Sequence, residues 1–158
     1  MTESDKKFMR AVIHLAEEGM KSNSGGPFGA VVVKNGEVIA GGYNRVTSDN
    51  DPTAHAEIIA IREACKKLGS FQLDDCTIYT SCEPCPMCLG AIYWARPQKV
   101  FYACTREDAA LADFDDQFIY DELNLEIDER KIEFENLLRE EGLHLFGYWK
   151  EKIDKTEY

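Results

Sequence analysis

The sequence predicts a three-layer α/β/α domain built around a central mixed sheet. Two observations carry this. VVVKNGEVIA, residues 31–40, places two β-branched runs around Asn35-Gly36, a strong two-residue hairpin signal. After that hairpin, helical and strand patterns alternate, and crossovers of this length bring strands back parallel to one another.

The elements follow in order. Residues 5–20 carry Phe8, Met9, Val12, Ile13, Leu15, Ala16 and Met20 at helical spacing. SNSGGPFGA is a loop of small residues that leads into the hairpin. GGYNRVTSDNDP is a second loop, and Pro52 suits the first turn of a helix. That helix puts Ile58, Ile61, Ala64, Cys65 and Leu68 on one face, and Gly69 stops it. CTIYTS (76–81) reads as a strand, CPMCLGAIYWA (85–95) as a short helix ended by Pro97, and KVFYAC (99–104) as another strand. The remainder has helical patterns such as ERKIEFENLLREEGL (129–143) and the aromatic pieces FDDQFIY and FGYWK. One domain spanning 1–158 is expected.

Charge and composition narrow the function. Net charge is −11, with about −1 on residues 1–105 and about −10 on residues 106–158. A nucleic-acid binder normally presents a basic stripe, and none is evident, so no nucleic-acid partner is expected. No run approaches the ~20 apolar residues of a membrane span, so no membrane partner is expected. The charged start, MTESDKKFMR, lacks the apolar core of a signal peptide. The expected location is cytoplasmic, where disulfides are rare. Cys65, Cys76 and Cys104 then read as plain buried thiols.

Cys82, Cys85 and Cys88 are different, because clustered thiols in a reducing compartment signal metal or redox chemistry. Cys85 and Cys88 are spaced i, i+3 at the start of a helix, where thiolates are favoured. His55 opens the preceding helix, and helix mouths in adjacent crossovers share one end of a sheet. His55, Cys85 and Cys88 would be three zinc ligands that leave a fourth position open, the arrangement of a catalytic site. Glu57 is the candidate proton carrier. Residues two apart on a regular helix diverge by about 200°, so His55 and Glu57 meet only if the metal sits off the helix end. Cys82 with Cys85 is an equally good pair. A closed structural zinc on His55 and all three cysteines is the rival, and it needs no Glu57.

HAE at 55–57 followed by PCPMC at 84–88 is the H-x-E…P-C-x-x-C signature of zinc-dependent nucleobase deaminases. With GGPFGAVVV, NDPTAHAE and TSCEPCPMCLGAIYWARP, the chain resembles the bacterial guanine deaminase branch of the cytidine deaminase-like family over nearly its whole length. The resemblance implies one Zn2+ per chain on His55, Cys85 and Cys88, a zinc-activated water as nucleophile, and Glu57 as proton shuttle. It implies Asp116 as a second carboxylate near the leaving amine. It implies Phe28, Asn44, Trp94 and Tyr158 at a small-molecule purine, with about 121–158 forming a lid swapped in a homodimer. The implied reaction is hydrolysis of guanine to xanthine and ammonia. Guanosine, cytosine or tRNA adenosine as substrate, or a non-catalytic zinc module, are the alternatives.

Overall fold

The computed structural model describes residues 1–158. Helix α1 (Glu3–Lys21) starts on a reciprocal cap, in which Asp5 N donates to Thr2 and the Asp5 carboxylate accepts from Thr2 N. Strands β1 (Gly29–Lys34) and β2 (Glu37–Tyr43) form the hairpin. Its two turn residues, Asn35 (φ 52°) and Gly36 (φ 78°), both lie in the left-handed region that a tight hairpin requires.

Helix α2 (Val46–Asp49) precedes α3 (Ala56–Leu68). Strand β3 (Cys76–Cys82), helix α4 (Pro86–Ala95) and strand β4 (Lys99–Cys104) follow, and then α5 (Arg106–Ala110). The sheet order is β2-β1-β3-β4. β1 is antiparallel to β2 and β3, while β3 and β4 are parallel. Thus β2, β3 and β4 run in one direction, as their helical crossovers demand, and β1 is inserted between them in reverse.

The alternation of strand side chains splits the core in two. Ala30, Val32 and Ile78 face α3 and α4, where they pack with Ala60, Ala64, Ile92 and Ala95. Val31, Val33 and Tyr79 face α1 and meet Phe8 and Val12. The sheet is therefore covered on both sides, which is the three-layer architecture.

Several expectations need correction. The third helix begins at Ala56 rather than at Pro52. Asp51 Oδ1 accepts from Thr53 N (2.8 Å) and Thr53 Oγ1 (2.7 Å), which holds the preceding residues in a turn. Cys76 is buried but Cys104 is exposed, because β4 is a sheet edge.

Met1–Gln117 and Phe118–Tyr158 form two compact units. The second holds nearly all of α6 (Gln117–Leu123), a 3-10 turn at Ile127–Glu129, and α7 (Arg139–Glu151). Residues 130–138 are not helical, contrary to the pattern in ERKIEFENLL. Leu138 is left-handed (φ 53°), and Lys131 N donates to Glu122 Oε2 (2.8 Å) instead of to a helical carbonyl. No residue of this unit is fully buried. No helix of the chain is long and apolar enough to cross a membrane.

Candidate active site

Two helix starts build the centre. His55 is the N-cap of α3 and Cys85 is the N-cap of α4, with Pro86 locking the first turn. Caps usually spend their side chains on the helix N–H groups. Neither of these does, so both side chains are free to turn toward each other. Cys88, one turn into α4 and fully buried, completes the group.

The donor atoms of His55, Cys85 and Cys88 lie within 4.8 Å of one another. His55 Nδ1 is 3.6 Å from Cys85 Sγ and 3.5 Å from Cys88 Sγ. A tetrahedral zinc with ordinary bond lengths requires N···S edges of about 3.6 Å. The donor set therefore fits zinc in both chemistry and spacing. Electrostatics agree for the first sulfur. The Cys85 thiol is held down to about 4 by the hydrogen bond from Cys88, with His55 adding to this against the cost of burial. His55 is raised by its hydrogen bond to Cys85.

Cys82 is not part of the group. Its Sγ donates to the Thr105 carbonyl (3.3 Å), and burial pushes its thiol up to about 11. The closed four-ligand site is thereby disfavoured. Cys82 lines the neighbouring cleft instead.

Glu57 sits in the first turn of α3 and is only 5% exposed. His55 is extended backbone (φ −70°, ψ 152°) outside the helix, so the 200° rule of a regular helix does not separate the two side chains. Thr80 Oγ1 donates to Glu57 Oε1 at 2.7 Å, and Cys88 Sγ donates to Glu57 Oε2 at 3.4 Å. Burial raises the Glu57 carboxyl above the ordinary range, partly opposed by those hydrogen bonds.

A cleft of about 290 Å³ opens over this centre. Phe28 and Phe114 form one wall, edge to face at 4.9 Å between ring centres. Asn44 is 5% exposed, and its Oδ1 accepts from Gly26 N (3.3 Å) and Val46 N (3.1 Å). That fixes the amide with its oxygen toward the loop, so the NH2 group is what it offers the cleft. Gly25 must be glycine here, since a Cβ would stand 2.0 Å from Asn44 Oδ1 and 2.8 Å from the Asn44 backbone oxygen. Asp116 lines the cleft, and burial raises its carboxyl.

Two expected positions are not among the residues that line the cleft. Trp94 is 64% exposed on α4 and does not line the cleft. It is two residues from the buried Ile92, hence on the opposite side of the helix. Tyr158 belongs to the second unit and is exposed. Phe114, Glu83 and Arg106 line the cleft although the sequence reading did not single them out. Phe114 directly precedes the pair that includes Asp116, which is the one signal that could have found it.

Comparison with known proteins agrees with this geometry. Residues 2–104 match the model of the cytidine and deoxycytidylate deaminase zinc-binding region. The chain is 58% identical over 151 residues to guanine deaminase of Bacillus subtilis (strain 168), covering 96% of this chain and 97% of that one. It is 42% identical over 100 residues to a tRNA-specific adenosine deaminase of the same organism, covering 62% and 60% of the two chains. The X-ray structure of Bacillus subtilis guanine deaminase superposes with a TM-score of 0.95 at 56% identity, covering 100% of this chain and 99% of that one. A shared zinc-binding region and a full-length structural match leave one assignment: the chain belongs to the cytidine and deoxycytidylate deaminase zinc-binding family.

Proposed function

We propose that the protein hydrolyses guanine to xanthine and ammonia. The observation that carries the chemistry is a buried carboxylate, Glu57, set beside an open His-Cys-Cys metal group at the floor of a small cleft. The near full-length likeness to a guanine deaminase supports the choice of purine.

His55, Cys85 and Cys88 would hold zinc, which when bound supplies a Lewis acid that brings the pKa of water down toward ~7. Glu57 takes one proton of the attacking water and delivers it to a ring nitrogen. It then takes the remaining proton of the added hydroxyl and delivers it to the amine, so that the C–N bond breaks, ammonia leaves and the carbonyl of xanthine forms. Its raised pKa suits a group that must both accept and return a proton. Phe28 stacks on the base. Asn44 donates to an acceptor on the purine edge. Asp116 accepts from the amine as it leaves.

The cleft's charge supports a neutral substrate. Glu57, Glu83, Asp115 and Asp116 line it against Arg106, and no lysine or second arginine is among the lining residues. That set opposes a phosphate group, which weighs against nucleotides and tRNA.

The assembly is a homodimer, and the protein is cytoplasmic. The unit Phe118–Tyr158 buries no residue, and Phe146, Tyr148 and Ile153 are all exposed. Segments this small seldom sustain a core alone. A second copy covers its apolar side chains, brings Trp94 and Tyr158 to a site, and makes residues 1–158 one functional domain.

The test is ammonia release from guanine by the zinc-loaded protein, with Glu57→Gln as control and guanosine and cytosine in parallel. Release abolished in the variant supports the proposal. Release from guanosine or cytosine alone refutes the substrate. Sedimentation should give twice the 17.9 kDa chain mass.

A further inference from the structure

We propose that Thr80 is a positioning residue for the deamination: its hydroxyl pins one oxygen of the Glu57 carboxylate so that the other serves the proton transfers. This rests on the reading of Glu57 as the proton carrier.

Thr80 lies on β3 with strands on both sides, paired with Ala30 of β1 and Tyr102 of β4. It is 0% exposed. A β-branched residue suits that position, but the sheet has no use for a hydroxyl there, because valine has the same shape and packs as well. The hydroxyl therefore needs a reason to be buried.

Its partners supply one. A threonine hydroxyl has a single proton. Glu57 Oε1 is 2.7 Å away, against 3.5 Å for the Gly29 carbonyl, so the proton goes to the carboxylate. The length is that of a well-formed O–H···O hydrogen bond. Oε2 points the other way, toward Cys88 Sγ at 3.4 Å and the metal group.

The final torsion of a glutamate is broad and costs little to turn. A carboxylate that shuttles protons must present the same oxygen at each step. The bond from a rigid central strand removes that freedom. Thr80 touches no substrate and acts wholly through Glu57.

The experiment compares Thr80→Val, which keeps the shape and loses the hydroxyl, with Thr80→Ser, which restores it. Thr80→Val should lower kcat for guanine by roughly 10- to 100-fold, because misplacing a proton carrier costs about this much. KM should stay within about threefold, and Thr80→Ser should recover kcat to within about threefold of the parent. Zinc content should stay at one per chain. A crystal structure of Thr80→Val should show the Glu57 carboxylate turned or in two orientations. The proposal is overturned if Thr80→Val keeps kcat within threefold, or if Thr80→Ser is as impaired as Thr80→Val. It is equally overturned if Glu57 keeps one unchanged orientation in the valine variant. Absence of ammonia release from the parent protein would sink the guanine reading instead, and the orientation of Glu57 in the valine variant would then decide the role of Thr80.

Discussion

Asn44 separates two jobs that one side chain performs, and substitution can divide them. Its Oδ1 holds the loop by accepting from Gly26 N and Val46 N, and since Asn44 also lines the cleft, its NH2 group is the part left for a ligand. Asn44→Asp keeps an acceptor for both N–H groups but replaces the ligand-facing donor by an oxygen. Asn44→Ala removes both functions. Each abandoned N–H costs about 1 kcal/mol at a part-buried position, so the alanine variant should lose about 2 kcal/mol. For a chain of this length that is a fall in melting temperature of roughly 4–8 °C. The aspartate variant should melt within about 3 °C of the parent. Toward guanine, losing a hydrogen bond and facing an unpaired acceptor together cost about 3 kcal/mol, or roughly a hundredfold in kcat/KM. Both variants should show that loss, and only alanine should lose stability. Calorimetry and steady-state ammonia release read the two effects. An aspartate variant within threefold of the parent in kcat/KM would remove Asn44 from substrate recognition. An alanine variant that melts with the parent would remove it from the loop.

Two more expectations follow from the same contacts. Cys82→Ser should retain one zinc per chain by atomic absorption, since its Sγ is engaged with Thr105, whereas Cys85→Ser should lose the metal. Zinc loss from the Cys82 variant would return that residue to the ligand set. Tyr79 donates to Asp5 Oδ1 at 2.7 Å, and burial together with that bond raises its phenol to about 12, while the Thr2 backbone N–H and then the Tyr79 hydroxyl hold Asp5 down to about 2. The raised phenol stabilises the fold below the unfolded tyrosine value of 10.0, and that contribution fades as pH climbs from 10 to about 12. The depressed carboxyl stabilises above 3.8, and its contribution fades as pH falls toward about 2. Tyr79→Phe should remove the alkaline flank of the melting-temperature profile against pH and flatten the acid flank only in part, because Thr2 N still donates to the Asp5 carboxylate. An unchanged profile would show that the pair does not couple to folding.

Much of the site was legible because its chemistry is local. His55-x-Glu57 and Cys85-x-x-Cys88 are short spacings at helix starts, and metal ligands are drawn from few residue types. Asn35-Gly36 announced the hairpin for the same reason, since its backbone demand is met within two residues. The failures lie where side-chain hydrogen bonds or tertiary neighbours, rather than periodicity, decide. The start of α3 moved from Pro52 to Ala56 because the Asp51 side chain competed for the backbone. Cys104 read as core, yet its strand is an edge.

The sequence by itself determined most of the elements as far as β4, the hairpin, and the short list of residues from which the metal donors are drawn. Each depends on periodicity or on neighbours within a few residues. Only the tertiary structure decided how those donors converge, why Cys82 stands outside them, and how Thr80 and Asn44 set the polarity of the cleft. Those outcomes depend on groups such as Thr80 and Glu57, which lie on different elements and meet only once β1 is inserted against β3 and both layers of helices close on the sheet. A hydrogen bond is directional and short. No spacing along the chain encodes it until the fold brings its two ends within 3 Å or so.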